Sequence, residues 1–106
     1  MTRRLLRLQE FFLGYFHPDW RLDAATTSEV VEEFLATADG DLINDVAVDL
    51  DELLEEDAPE DELHSRMLRE YSLSYDPWSE GLTMRAWLVG LRSQLGPRVA
   101  GGGSGG

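Results

Sequence analysis

Apolar residues recur at intervals of three and four along most of this chain, and nowhere do they alternate over enough positions to predict a β-strand. A first helix is expected over about Arg3 to Phe16, with Leu5, Leu8, Phe12 and Tyr15 on one face. Pro18 ends it, because the residue before a proline is pushed out of helical geometry. A second helix begins near Thr27 or Ser28 as N-cap, carries Val30, Val31, Phe34, Leu35 and Ala38, and breaks at Gly40. The clearest pattern runs from about Asp41 to Glu56, where Leu42, Ile43, Val46, Ala47, Leu50, Leu53 and Leu54 form one broad face.

Asp57-Ala-Pro-Glu60 reads as a capping box with an early proline, opening a fourth helix whose Leu63, Met67 and Tyr71 recur every fourth residue. After a Ser, Asp and Pro loop, a fifth helix starts at Thr83, turns Trp87, Leu88, Leu91 and Leu95 inward, and stops at Gly96-Pro97. No internal repeat is evident. The expectation is an all-α, single-domain irregular bundle of about five helices over residues 1–98. Residues 99–106 are read as a flexible Gly/Ser tail of the kind used as an expression linker.

Composition narrows what such a bundle could do. The chain has 106 residues, 42% of them hydrophobic, enough to fill one core. It has no cysteine, which removes disulfide scaffolding and thiolate chemistry and fits a reducing compartment. The basic, apolar start is interrupted by Arg7, Gln9 and Glu10 before a signal-peptide core can form, and no run approaches a membrane span. A cytoplasmic location is the expectation. The net charge of -12 repels phosphate backbones and anionic membranes, so neither is expected as a direct partner. All nine basic residues are arginine, and none lies between Leu22 and Ser65, where the acidic residues crowd.

Chemistry-bearing side chains are few. No nucleophile elbow, phosphate loop or His-Glu-x-x-His helix is present. His17 and Asp19 could share a metal, and Glu60 and His64 stand one helical turn apart. The simpler expectation is that His17 and Asp19 bond the turn before Trp20, and that His64 pairs with Glu60 at the surface. The aromatic run Phe11, Phe12, Tyr15, Phe16 and Trp20 fits core packing better than a ligand cage. No catalytic residue, metal site or cofactor is expected.

The third helix carries the sharper signal. At 100° per residue, Asp41, Asp45, Asp49, Glu52 and Glu56 fall within about 80° of one another, away from the leucines. Neighbouring like charges in such a stripe each cost on the order of 0.2–0.5 kcal/mol, and Glu55 and Glu56 sit at the unfavourable end of the helix dipole. On the charge run alone, a solvated face in an acidic protein is a simpler explanation than a docking surface for a basic partner. As a docking surface it comprises Asp41, Asp45, Val48, Asp49, Glu52 and Glu56, with Asp57, Glu60 and Asp61 beside it.

One stretch adds a family. The run Phe11-Phe12-Leu13-Gly14-Tyr15-Phe16-His17-Pro18-Asp19-Trp20 resembles the opening of the immunity proteins of contact-dependent growth inhibition systems, whose first helix ends in Tyr-Phe-His-x-Asp-Trp. Further matches follow in order: the capped second helix with Val30, Val31 and Phe34, an acidic third helix, Tyr75-Asp76-Pro77, Gly81-Leu82-Thr83 and Trp87-Leu88. Leu73-Ser74 and Trp78 depart from the family's pattern in the loop between the last two helices.

The resemblance implies a helical, non-enzymatic cytoplasmic protein that binds the C-terminal domain of a cognate toxin, as a monomer, one to one. It implies that Tyr15, Phe16, His17, Asp19, Trp20, Tyr75 and Trp87 serve the architecture, because partners differ across such a family while the fold is shared. A basic nuclease or deaminase groove is the counterpart an acidic stripe would suit. Two other readings stay open: an acidic nucleic-acid mimic or regulator of a host DNA-binding protein, and a hydrolase or metal enzyme using His17, Asp19, Glu60 and His64.

Overall fold

A computed structural model describes residues 5–96. Arg3, Arg4, Pro97 and the Gly/Ser tail lie outside the described residues. Among the described residues six α-helices follow one another: α1 (Leu6–Tyr15), α2 (Trp20–Asp23), α3 (Thr27–Thr37), α4 (Gly40–Glu55), α5 (Glu60–Ser65) and α6 (Met84–Leu95). A π-helical turn, Arg66–Glu70, continues α5, and a 3₁₀ turn, Pro77–Glu80, precedes α6. There is no strand among the described residues. The anticipated five helices are α1, α3, α4, α5 with its π turn, and α6. The one-turn α2 is additional, too short to leave a periodic trace.

α4 is the central element, packed against both α1 and α6. Its Ile43, Val46, Ala47, Leu50 and Leu53 are buried, as the periodicity predicts. Leu63, Met67 and Tyr71 from the fourth segment, and Trp87, Leu88, Leu91 and Leu95 from α6, meet them in one core. Phe11, Phe12, Phe16, Trp20, Phe34, Tyr75 and Trp87 form its aromatic end. Phe16 meets Trp87 edge to face at 5.5 Å, and Trp20 meets Tyr75 at 5.8 Å, geometries that place positive ring edges on negative faces.

The helix ends correct several boundaries. Thr26, one residue earlier than expected, caps α3 by accepting the Glu29 N–H at 3.2 Å, while Glu29 accepts the Ala25 N–H at 2.9 Å. Gly40 is not a break but the first residue of α4, because Asp39 immediately before it caps Leu42 N at 2.9 Å. The expected capping box at Asp57 does not form: Pro59 is the N-cap of α5 with no side-chain bond. Asp57 instead takes a left-handed conformation (φ 54°) just after α4, one that Asp tolerates better than most residues. Thr83 caps α6 as expected, accepting from Ala86 N at 2.9 Å, and Gly96 (φ 76°) closes it.

The Tyr-Phe-His-x-Asp-Trp stretch forms the turn from α1 into α2. His17 Nδ1 accepts the Asp19 N–H at 3.1 Å, which orders the turn locally as expected. Two longer-range bonds then clasp it to the loop before the 3₁₀ turn: Trp20 Nε1–H donates to Ser74 O at 3.0 Å, and Ser74 N–H donates to Phe16 O at 3.1 Å.

Candidate protein-binding surface

The acidic residues singled out on and after α4 do not share one environment. Asp41, Asp45, Val48, Glu56, Asp57 and Asp61 are exposed, and Glu52 and Glu60 are half-buried. Asp49 is buried, with 6% of its surface exposed. Helical periodicity put Asp49 on the solvent stripe; packing of α1 against α4 turned that position inward. There its Oδ2 accepts the backbone N–H groups of Arg7 and Leu8, each at 3.1 Å. These are orphan donors of the first turn of α1, whose own N-cap, Leu5, has no side-chain acceptor to offer.

Arginines from other elements relieve the like-charge strain that the helix sequence alone implies. Arg7 Nε lies 3.7 Å from Asp45, and Arg66 Nη1 donates to Glu56 at 2.9 Å. Arg92 grips Asp51 through two nearly parallel bonds of 2.8 and 3.2 Å, the fork geometry that favours Arg over Lys. Arg85 donates to Leu54 O and Ala58 O, both at 3.3 Å, placing a cation at the negative end of the α4 dipole where Glu55 and Glu56 stand. The acidic helix is thus held in a frame of positive charge supplied by its neighbours.

Glu60 is also drawn into the structure. Its carboxylate accepts the backbone N–H groups of Met84 and Arg85, at 3.1 Å for the latter, and the Trp78 indole N–H at 2.7 Å. It caps α6 from the start of α5. Burial alone would raise its pKa, but the hydrogen bonds from Trp78, Met84 and Arg85 and the nearby His64 outweigh burial and lower it. His64 pairs with Asp76 (2.8 Å) rather than with Glu60, and its ring stacks on Trp78 at 3.5 Å with 9° between the planes. Tyr75 donates to Glu80 at 2.8 Å; burial and that bond push its pKa up to about 12.

The residues of the metal reading have other partners: His17 Nδ1 accepts the Asp19 backbone N–H and its Nε2 faces Asp23 at 3.8 Å, His64 pairs with Asp76, and the Glu60 carboxylate is engaged at the start of α6. Among the described residues no group of three or more His, Asp or Glu side chains is arranged to hold a metal ion. No helix among them is long and apolar enough to cross a membrane.

Two surface features lay outside the sequence reading. An open cleft of about 530 Å³ runs between the end of α1, α2 and α3, with Tyr15, Trp20 and Val30 in its wall and His17, Asp23, Glu29 and Glu33 around it. At the other feature, Trp78 and Leu82 stand exposed before α6. A tryptophan flanked by Pro77, Ser79 and Glu80, outside any helical period, is the signal that marks such a position.

The model of the CdiI immunity protein family matches residues 4–95. Among solved structures, the fold is similar to a chain of the CdiA-CT/CdiI complex from Y. kristensenii 33638, with a TM-score of 0.82 and 22% identity, covering 88% of this chain and 99% of that one. No curated protein matches the chain.

Proposed function

Since the chain belongs to the CdiI immunity protein family, we propose that it binds and neutralises the C-terminal domain of a cognate toxin, covering a basic working surface with acidic side chains. The match over nearly the whole described chain carries this reading. A net charge of -12 supports it, since opposite charge speeds capture of a cationic partner and disfavours wrong ones. The reading extends to a nucleic-acid-targeting toxin, a nuclease or deaminase, because such enzymes need a basic groove for their substrate. Inhibition of this kind is occlusion by a bound monomer acting in the cytoplasm, with no turnover and no cofactor.

On this reading the exposed carboxylates of the α4 face, Asp41 and Asp45, with Val48 beside them, meet the toxin. Asp57 and Asp61 extend the same acidic character past the end of the helix. Asp49 and Glu60 act from beneath, fixing α1 and α6.

The test is co-purification of this chain with the toxin domain encoded immediately upstream, and survival of cells expressing that domain. A stable complex and full protection are expected. Absence of both complex and protection would sink the proposal, and capture of a host DNA-binding protein in the toxin's absence would favour the mimic instead.

A further inference from the structure

The acidic faces of this molecule differ in what they leave available to a partner. Along α4, Asp51 and the closing Glu56 are held by Arg92 and Arg66 in bonds of 2.8 and 2.9 Å, and the exposed apolar contact there is Val48. The end of the bundle where α5, the 3₁₀ turn and α6 begin is built differently. It exposes two large apolar side chains in one short segment, Trp78 at 45% and Leu82 at 42%.

Trp78 is exposed but not loose. The indole is stacked on His64, its N–H is satisfied by Glu60 at 2.7 Å, and its backbone N–H donates to Asp76 Oδ1 at 3.0 Å. That backbone bond is the N-cap of the 3₁₀ turn, and Leu82 N–H returns to Pro77 O at 3.1 Å, closing the segment on itself. A large ring whose polar atom is already bonded and whose orientation is set loses little conformational freedom when a partner covers it. Tryptophans in that condition dominate binding energy at interface centres.

The surroundings are acidic. Glu80 is exposed in the same turn, Asp61 is exposed next to Glu60, and Asp57, with 92% of its side chain exposed, lies 3.7 Å from Arg85 at the start of α6. An apolar centre with a charged rim is the usual anatomy of a protein interface.

Resting on the toxin-binding reading above, we infer that Trp78 and Leu82 are the anchor of the toxin interface. They enter an apolar recess of the toxin rimmed by Arg or Lys, which Asp57, Asp61 and Glu80 face. The anchor supplies residence time, while the wider negative field supplies the rate of capture.

The experiment is titration calorimetry of the wild-type chain and its variants against the toxin domain encoded immediately upstream, with circular dichroism on each variant. Trp78→Ala is expected to weaken binding by roughly 30-fold or more, the loss typical of a hot-spot residue. Leu82→Ser weakens it by about fivefold, and Leu22→Ser, an exposed leucine on α2, leaves it unchanged. Hydrogen exchange on the wild-type complex adds a readout that needs no variant to fold: amides of residues 76–84 are expected to slow on binding. Wild-type binding with Trp78→Ala and Leu82→Ser both near wild-type affinity, or with exchange in 76–84 unaltered, overturns the anchor and leaves toxin neutralisation standing. Failure of the wild type to bind overturns neutralisation itself.

Discussion

The Asp49 carboxylate lies 3.1 Å from the backbone nitrogen of Leu8, so α1 receives its N-terminal cap from the side chain of a residue in the middle of α4. The same oxygen takes the Arg7 N–H, and Tyr71 OH accepts the Leu5 N–H at 3.1 Å. The first turn of α1 is therefore held by the elements it packs on rather than by the residues that precede it.

Asp49→Ala removes the acceptor of the buried Leu8 N–H and the half-buried Arg7 N–H and is expected to destabilise the fold by about 1–3 kcal/mol. Asp49→Asn keeps an acceptor oxygen and should recover part of the loss. Thermal melts of the two variants decide this; equal stability of Asp49→Ala and the wild type would remove the cap from the account.

Glu60 predicts an acid limb in stability. Its folded-state pKa is lowered from 4.5, so the folded protein prefers the carboxylate ionised. The contribution is present above the unfolded-state value and is lost as pH falls through the folded one, in the region below about pH 4.5. Glu60→Gln should be less stable than the wild type at pH 7 by about 1–2 kcal/mol, the range for losing a charged helix cap. The gap should narrow in denaturant titrations repeated toward pH 3. A gap independent of pH would show that the charge is not what Glu60 contributes.

Trp20→Phe keeps the ring in the aromatic end of the core but removes the N–H that Ser74 O accepts. A loss of about 0.5–1.5 kcal/mol is expected, the net worth of a typical hydrogen bond, since Ser74 is only half-buried. If the motif serves the architecture, toxin affinity per folded molecule is unchanged. A large affinity loss in a stably folded Trp20→Phe would move the motif into the interface.

Reversing Asp41 and Asp45 together to Arg tests the α4 face without touching the Asp49 cap. The helical spectrum should persist, and association with the toxin should slow by roughly tenfold at low salt, with the difference shrinking as salt rises. Stopped-flow association rates that ignore the reversal would take the α4 face out of the capture step.

How far the residues alone could be read follows from the range of each interaction. The five long helices, the inward leucines and the Thr83 cap depend on neighbours within four positions, so periodicity carries them. The capping box at Asp57 was a local pattern too, yet it lost to a long-range partner: Glu60 bonds backbone groups 24 and 25 positions away. The stripe on α4 was legible as a line of charge, but not its interruption at Asp49 or its relief by Arg7 and Arg66 from other helices.

By itself, then, the sequence determined an all-helical bundle of strongly acidic character and, through the run from Tyr15 to Trp20, its family. Helical period, charge and motif are properties of adjacent residues, and no packing is needed to set them. Tertiary structure alone decided which carboxylates face solvent and which cap a neighbouring helix, because an orphan N–H at a helix start can be met by any acceptor that packing delivers. It also decided that Trp78 stands braced and exposed, since the ring that stacks on it and the carboxylate that takes its N–H both come from α5.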